Sequence, residues 1–71
     1  MKMERQEVDS SSIDAAGYDE ETEILEIEFR DGVYQYEYVP MYMYHDFMNA
    51  DSKGRFFNEN IKHEYPCTRV E

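Results

Sequence analysis

Apolar and polar residues alternate from Leu25 to Phe29: Leu25, Ile27 and Phe29 point one way, Glu26, Glu28 and Arg30 the other, with Ile24 as the exception. A period of two with one apolar face is the pattern of a half-buried strand, so Thr22–Arg30 reads as a strand with an acidic outer side. Asp31-Gly32 follows as a hairpin signal, because glycine tolerates the positive φ that tight turns require. Val33–Tyr38 alternates again, with Tyr34, Tyr36 and Tyr38 on one side and Val33, Gln35 and Glu37 on the other. Only the tyrosine side can match Leu25, Ile27 and Phe29 across a ladder, so it is expected to face the core.

Upstream, Ser12–Tyr18 alternates weakly and predicts a short first strand, joined to the next by a turn at Asp19-Glu20-Glu21. Gly17 stands where a strand normally carries a side chain, which points to a bulge or a close backbone approach. Val39-Pro40 ends the sheet and suits the start of a helix. Met41–Ala50 divides on a helical wheel into an apolar half (Met41, Met43, Tyr44, Phe47, Met48, Ala50) and a polar half (Tyr42, His45, Asp46, Asn49). Ser52 is a good cap for a second helix from about Lys53 to Glu64, with Phe57 and Ile61 on one face and Phe56 either wedged against the first helix or exposed. Cys67–Val70 reads as a final edge strand or a tail. The expected fold class is therefore α+β: a three-stranded antiparallel meander, then two helices packed on one sheet face. Residues 1–9 are expected to be a flexible lead-in to a single domain over 10–71.

At 71 residues the core must be economical, since a chain of this size buries only roughly 60% of its unfolded surface. Cys67 is the single cysteine, so no internal disulfide staples the fold, and a free thiol predicts a reducing cytoplasm. No apolar run is long enough to cross a membrane. The net charge of −10 is uneven: residues 1–51 hold three basic and fourteen acidic side chains, residues 52–71 four basic and three acidic. Phosphate binding needs a local basic patch, so any nucleic-acid contact is confined to the C-terminal third.

The ordered set Ser11-Ser12, Gly17-Tyr18-Asp19, Leu25-x-Ile27-x-Phe29, Gly32-x-Tyr34-x-Tyr36, Val39-Pro40, Ala50-x-Ser52-x-Gly54-x-Phe56-Phe57, Ile61-Lys62, Tyr65 and Arg69-Val70 resembles the KTSC domain from about Ser10 to Val70. That family takes its name from the C-terminus of some lysyl-tRNA synthetases. The resemblance implies an accessory module, RNA-associated or translation-linked, and carries no catalytic residues with it.

Two surfaces are candidates. The first is Ser52, Lys53, Gly54 and Arg55 with Lys62, where a helix start, a glycine and nearby cations suit an anion; the plainer reading is a helix cap and a tight turn. The second is the acidic set Glu20, Glu21, Glu23, Glu26 and Glu28, which can present charge to a basic protein or mimic a nucleic-acid backbone; the plainer reading is a solvated face. The pairs His45-Asp46 and His63-Glu64 do not make dyads, because helical neighbours diverge by about 100°. Nothing has metal-ligand spacing, and Cys67 has no evident activating base. The expectation is a monomeric binding module without catalytic residues, cofactor or metal, whose partner is RNA or a basic protein.

Overall fold

The computed structural model describes residues 5–71. Its sheet has five antiparallel strands in sequence order, Gln6–Glu7 (β1), Ile13–Asp19 (β2), Ile24–Phe29 (β3), Gly32–Tyr36 (β4) and Cys67–Arg69 (β5). Two helices, Met41–Asn49 (α1) and Lys53–Asn60 (α2), stand between β4 and β5 and cover one face. The α+β class and the helix pair stand as the pattern predicts. The expected meander of three strands gains an edge on each side. Cys67–Arg69 is a strand rather than a tail, and part of the expected lead-in, Gln6–Glu7, pairs with Ala16 and Ala15. The first four residues of that lead-in lie outside the described residues.

The core is the face that alternation assigned. Leu25 pairs with Tyr36 and Ile27 with Tyr34, so apolar side chains of neighbouring strands stack in rows. Ile13 and Ala16 continue those rows onto β2. Above them lie Phe47 of α1, Phe57 of α2 and Ile61, all buried. Phe57 meets Phe29 and Tyr36 edge-on, with ring centroids 5.2 and 5.3 Å away. Phe56 takes the wedged alternative, half-buried with its ring 6.3 Å from Phe47. Burial, then the neighbouring Cys67, pushes the Tyr36 hydroxyl well above its usual ionisation range.

Several local expectations shift. The turn between β3 and β4 runs through Arg30-Asp31, and Gly32 is already the first residue of β4, paired with Phe29. Glycine is required there by crowding: a Cβ would collide with the carbonyl oxygen of Glu71 and stand 2.8 Å from Arg69 Nε. The bulge in β2 falls between Ile13 and Ala15, while Gly17 is regularly paired with Glu26. Strand β4 stops at Tyr36, so Tyr38 does not join the tyrosine face; it has φ 64° and is 71% exposed. Pro40 is the cap before α1 rather than its first helical residue, and α2 ends at Asn60, four residues short of the expected Glu64. Met41, placed on the apolar half of α1, is exposed.

Among the described residues no helix covers the other face of the sheet, which is closed by charge. Arg5 Nη1 reaches Glu26 Oε2 at 2.7 Å, and Gln35 Nε2 donates to Glu26 Oε1 at 2.8 Å. Arg5 Nε is 3.3 Å from Glu28. Gly17, one step beyond the Gln6–Ala16 pair, is itself paired with Glu26. The contacts from Arg5 and Gln35 account for a buried carboxylate, Glu26 at 6% exposure, without an unsatisfied atom.

Candidate functional site

The loop between β1 and β2 and the start of α2 face each other across a cleft of about 370 Å³ lined by Asp9–Ser12, Asp51–Arg55 and Asn58. Local chemistry shapes both walls. Ser10 Oγ accepts from the backbone N–H groups of Ser12 and Ile13, which folds the loop ahead of β2. Ser52, in extended backbone, caps α2 by accepting from Arg55 N at 3.4 Å. Gly54 is the point of closest approach, since a Cβ there would lie 2.7 Å from Ser12 Oγ.

Four of the five residues of the first sequence candidate therefore lie together in this cleft, and Lys62 does not line it. Lys62 follows the far end of α2, about 12 Å along an eight-residue helix axis. The remaining cations are partly committed: Lys53 Nζ is 3.4 Å from the carbonyl of Ala50, and Arg55 Nε is 3.3 Å from Glu59. Asp9 and Asp51 line the same cleft. The serine loop opposite α2 was missed by sequence reasoning. The only signal was the Ser10-Ser11-Ser12 run itself, which reads equally well as a plain turn.

The second candidate divides. Glu26 and Glu28 lie on the open sheet face, where Arg5 pairs with both. Glu20, Glu21 and Glu23 are exposed on the turn between β2 and β3. That turn meets the connection from β4 to α1 through a hydrogen bond from Val39 N to Glu23 O of 2.9 Å. Tyr18 donates from its hydroxyl to Val39 O at 2.5 Å, and its ring stacks on Tyr44 with centroids 5.0 Å apart. Burial, then Glu23, Glu20 and Asp19, raises the ionisation of that hydroxyl above its usual range. Around the same corner Tyr38, Met41 and Tyr42 are exposed.

His45, His63 and Cys67 are exposed, and among the described residues no three or more His, Cys, Asp or Glu side chains converge to hold a metal. No helix of the described residues is long and apolar enough to cross a membrane.

This arrangement, a five-stranded meander with a helix pair inserted before its last strand, is shared with a solved KTSC domain protein. The family pattern matches residues 9–65, and the chain belongs to the KTSC domain family. A KTSC domain protein of Yersinia pestis has the same fold in its crystal structure, with a TM-score of 0.95 and 46% identity, covering 99% of this chain and all of its own. A protein of Stutzerimonas stutzeri is 44% identical over 64 residues, which are 89% of this chain and 90% of that one. A protein of Tsukamurella paurometabola is 45% identical over 58 residues, 80% of this chain and 87% of its own.

Proposed function

We propose that this KTSC domain is a binding module rather than an enzyme, and that its ligand surface is the cleft between the β1–β2 loop and the start of α2. The observation that carries the reading is the convergence of Ser10–Ser12, Ser52, Asn58, Lys53 and Arg55 on one concave site. Hydroxyls, a side-chain amide, a helix start and two cations are the groups that hold a phosphate. The hydroxyls of Ser10 and Ser52 already accept backbone hydrogen bonds, which suits a rigid receptor better than a nucleophile. RNA is the ligand that this chemistry and the family's association with a tRNA synthetase favour. A field of −10 keeps such binding weak and strongly dependent on salt.

Fluorescence titration of labelled tRNA at low salt tests this. The expected result is binding on the order of tens of micromolar that weakens with salt, with a smaller salt slope after Lys53→Ala and Arg55→Ala. Absence of binding in that range, or unchanged binding by both variants, overturns the reading. The alternative role as a mimic of a nucleic-acid backbone is weaker, because two of its five glutamates are paired with Arg5 on the open sheet face.

A further inference from the structure

Among the described residues the large apolar side chains that remain exposed are Tyr38, Met41, Tyr42 and Val70, and three of them fall within residues 38–42. They sit where the chain leaves the sheet and starts α1. From there the helix runs about 13 Å, nine residues, toward the end that borders the serine cleft. We propose that this corner is a docking surface for an arginine-bearing basic segment of a partner protein.

The first argument is how Tyr38 is held. Among non-glycine residues, Tyr38 and Glu23 have positive φ, 64° and 56°. The hydrogen bond from Val39 N to Glu23 O joins the two places. Left-handed backbone is strained for an L-residue. Burial of Val39 offsets that strain and drives the Tyr38 ring outward, where it is 71% exposed. Tyr42, at 64% exposure, stands at the second position of α1.

The second argument is the charge around these rings. The bond from Val39 to Glu23 sets the Glu20–Glu23 turn beside Tyr38, which Glu37 adjoins in the chain, and Tyr42 lies near Tyr65 and its chain neighbour Glu64. Exposed rings rimmed by carboxylates are complementary to guanidinium, which stacks on an aromatic face while its N–H fork reaches a carboxylate. The same rim repels phosphate. An arginine-bearing protein segment is therefore favoured over nucleic acid.

Fluorescence anisotropy of a labelled oligoarginine peptide with the whole chain tests this, with an oligolysine of equal charge alongside. The expected result is binding that favours the arginine peptide, weakened about five- to tenfold by Tyr42→Ala and retained by Tyr42→Phe. Joint change of Glu20, Glu21 and Glu23 to Gln lowers affinity most at low salt. Lys53→Ala and Arg55→Ala leave it unchanged, which separates this surface from the cleft. Equal affinity for the two peptides, indifference to the aromatic variants, or no binding overturns the proposal. Tyr38→Ala gives a second reading of the rings should Tyr42→Ala lower the melting temperature.

Discussion

The two faces of one sheet are stabilised by different physics. On the covered face Leu25, Ile27 and Tyr36 lie with Phe47, Phe57 and Ile61 in one apolar cluster. On the open face Glu26 and Glu28, from the intervening positions of β3, are held by one arginine from beside the first strand, and Gln35 of β4 donates to Glu26. Apolar contact is non-directional and tolerates shifts in register of detail. The polar network depends on Arg5 and Gln35 both meeting Glu26 at hydrogen-bond distance, with Glu28 3.3 Å from the same arginine. Among the described residues no helix covers that face, and a charged strap takes the place of a second core.

The largest test of this difference is Phe57→Ala. It removes a ring touching Phe29 and Tyr36 and is expected to cost about 3–5 kcal/mol, most of the stability of a domain this small. Thermal and urea melts measure it. The covered face also sets the alkaline limit. The pKa of Tyr36 is raised by burial above its ordinary 10.0, so the folded state keeps a proton that the unfolded chain releases. Stability is then full below pH 10.0 and falls as pH rises above it. Tyrosinate absorbance should report Tyr36 ionising only as the chain unfolds.

Arg5→Ala comes next, at about 2 kcal/mol, because it strands a largely buried carboxylate that keeps only Gln35. The double change Arg5→Met with Glu26→Leu should recover most of that loss. If it does not, the strap supplies more than charge compensation and the contrast between the faces narrows.

Smaller effects sharpen the corners between the faces. Gly54→Ala should move stability by less than about 1 kcal/mol, since crowding of the rotatable Ser12 Oγ opposes the helix propensity gained, and Ser12→Ala in the same chain should make it stabilising. Tyr38→Asn should stabilise by up to about 1 kcal/mol, since asparagine tolerates the left-handed backbone. Glu59→Gln breaks an exposed pair with Arg55 and should move the melting point least, within about 0.5 kcal/mol.

The alternation of β3, the cap at Ser52 and the stop at Val39-Pro40 are local signals, and each placed its element to within a few residues. Of the cleft, Ser52–Arg55 was legible because a cap and a glycine are local too. Its other wall was not, since Ser10–Ser12 reaches α2 only once β2 has paired with β3. The same limit hid β1, whose Gln6-Glu7 has no periodicity and is a strand only because β2 offers an edge.

By itself, then, the sequence determined the α+β class, the family, the buried face of the sheet and the helix pair that covers it. The class, the buried face and the helix pair follow from side-chain spacing within each segment, which hydrophobic burial reads directly, and the family from the ordered set of motifs from about Ser10 to Val70. Only the tertiary structure decided which tyrosines share the core. Tyr34 and Tyr36 stay with the sheet, while the bond between Val39 and Glu23 turns Tyr38 out to solvent. It also divided the glutamates, drawing Glu26 and Glu28 to Arg5 and leaving Glu20, Glu21 and Glu23 on the exposed turn. The physical reason is common to both. Backbone pairing and ion pairing join residues some twenty apart, and no local periodicity records which partner a hydrogen-bonding group will meet.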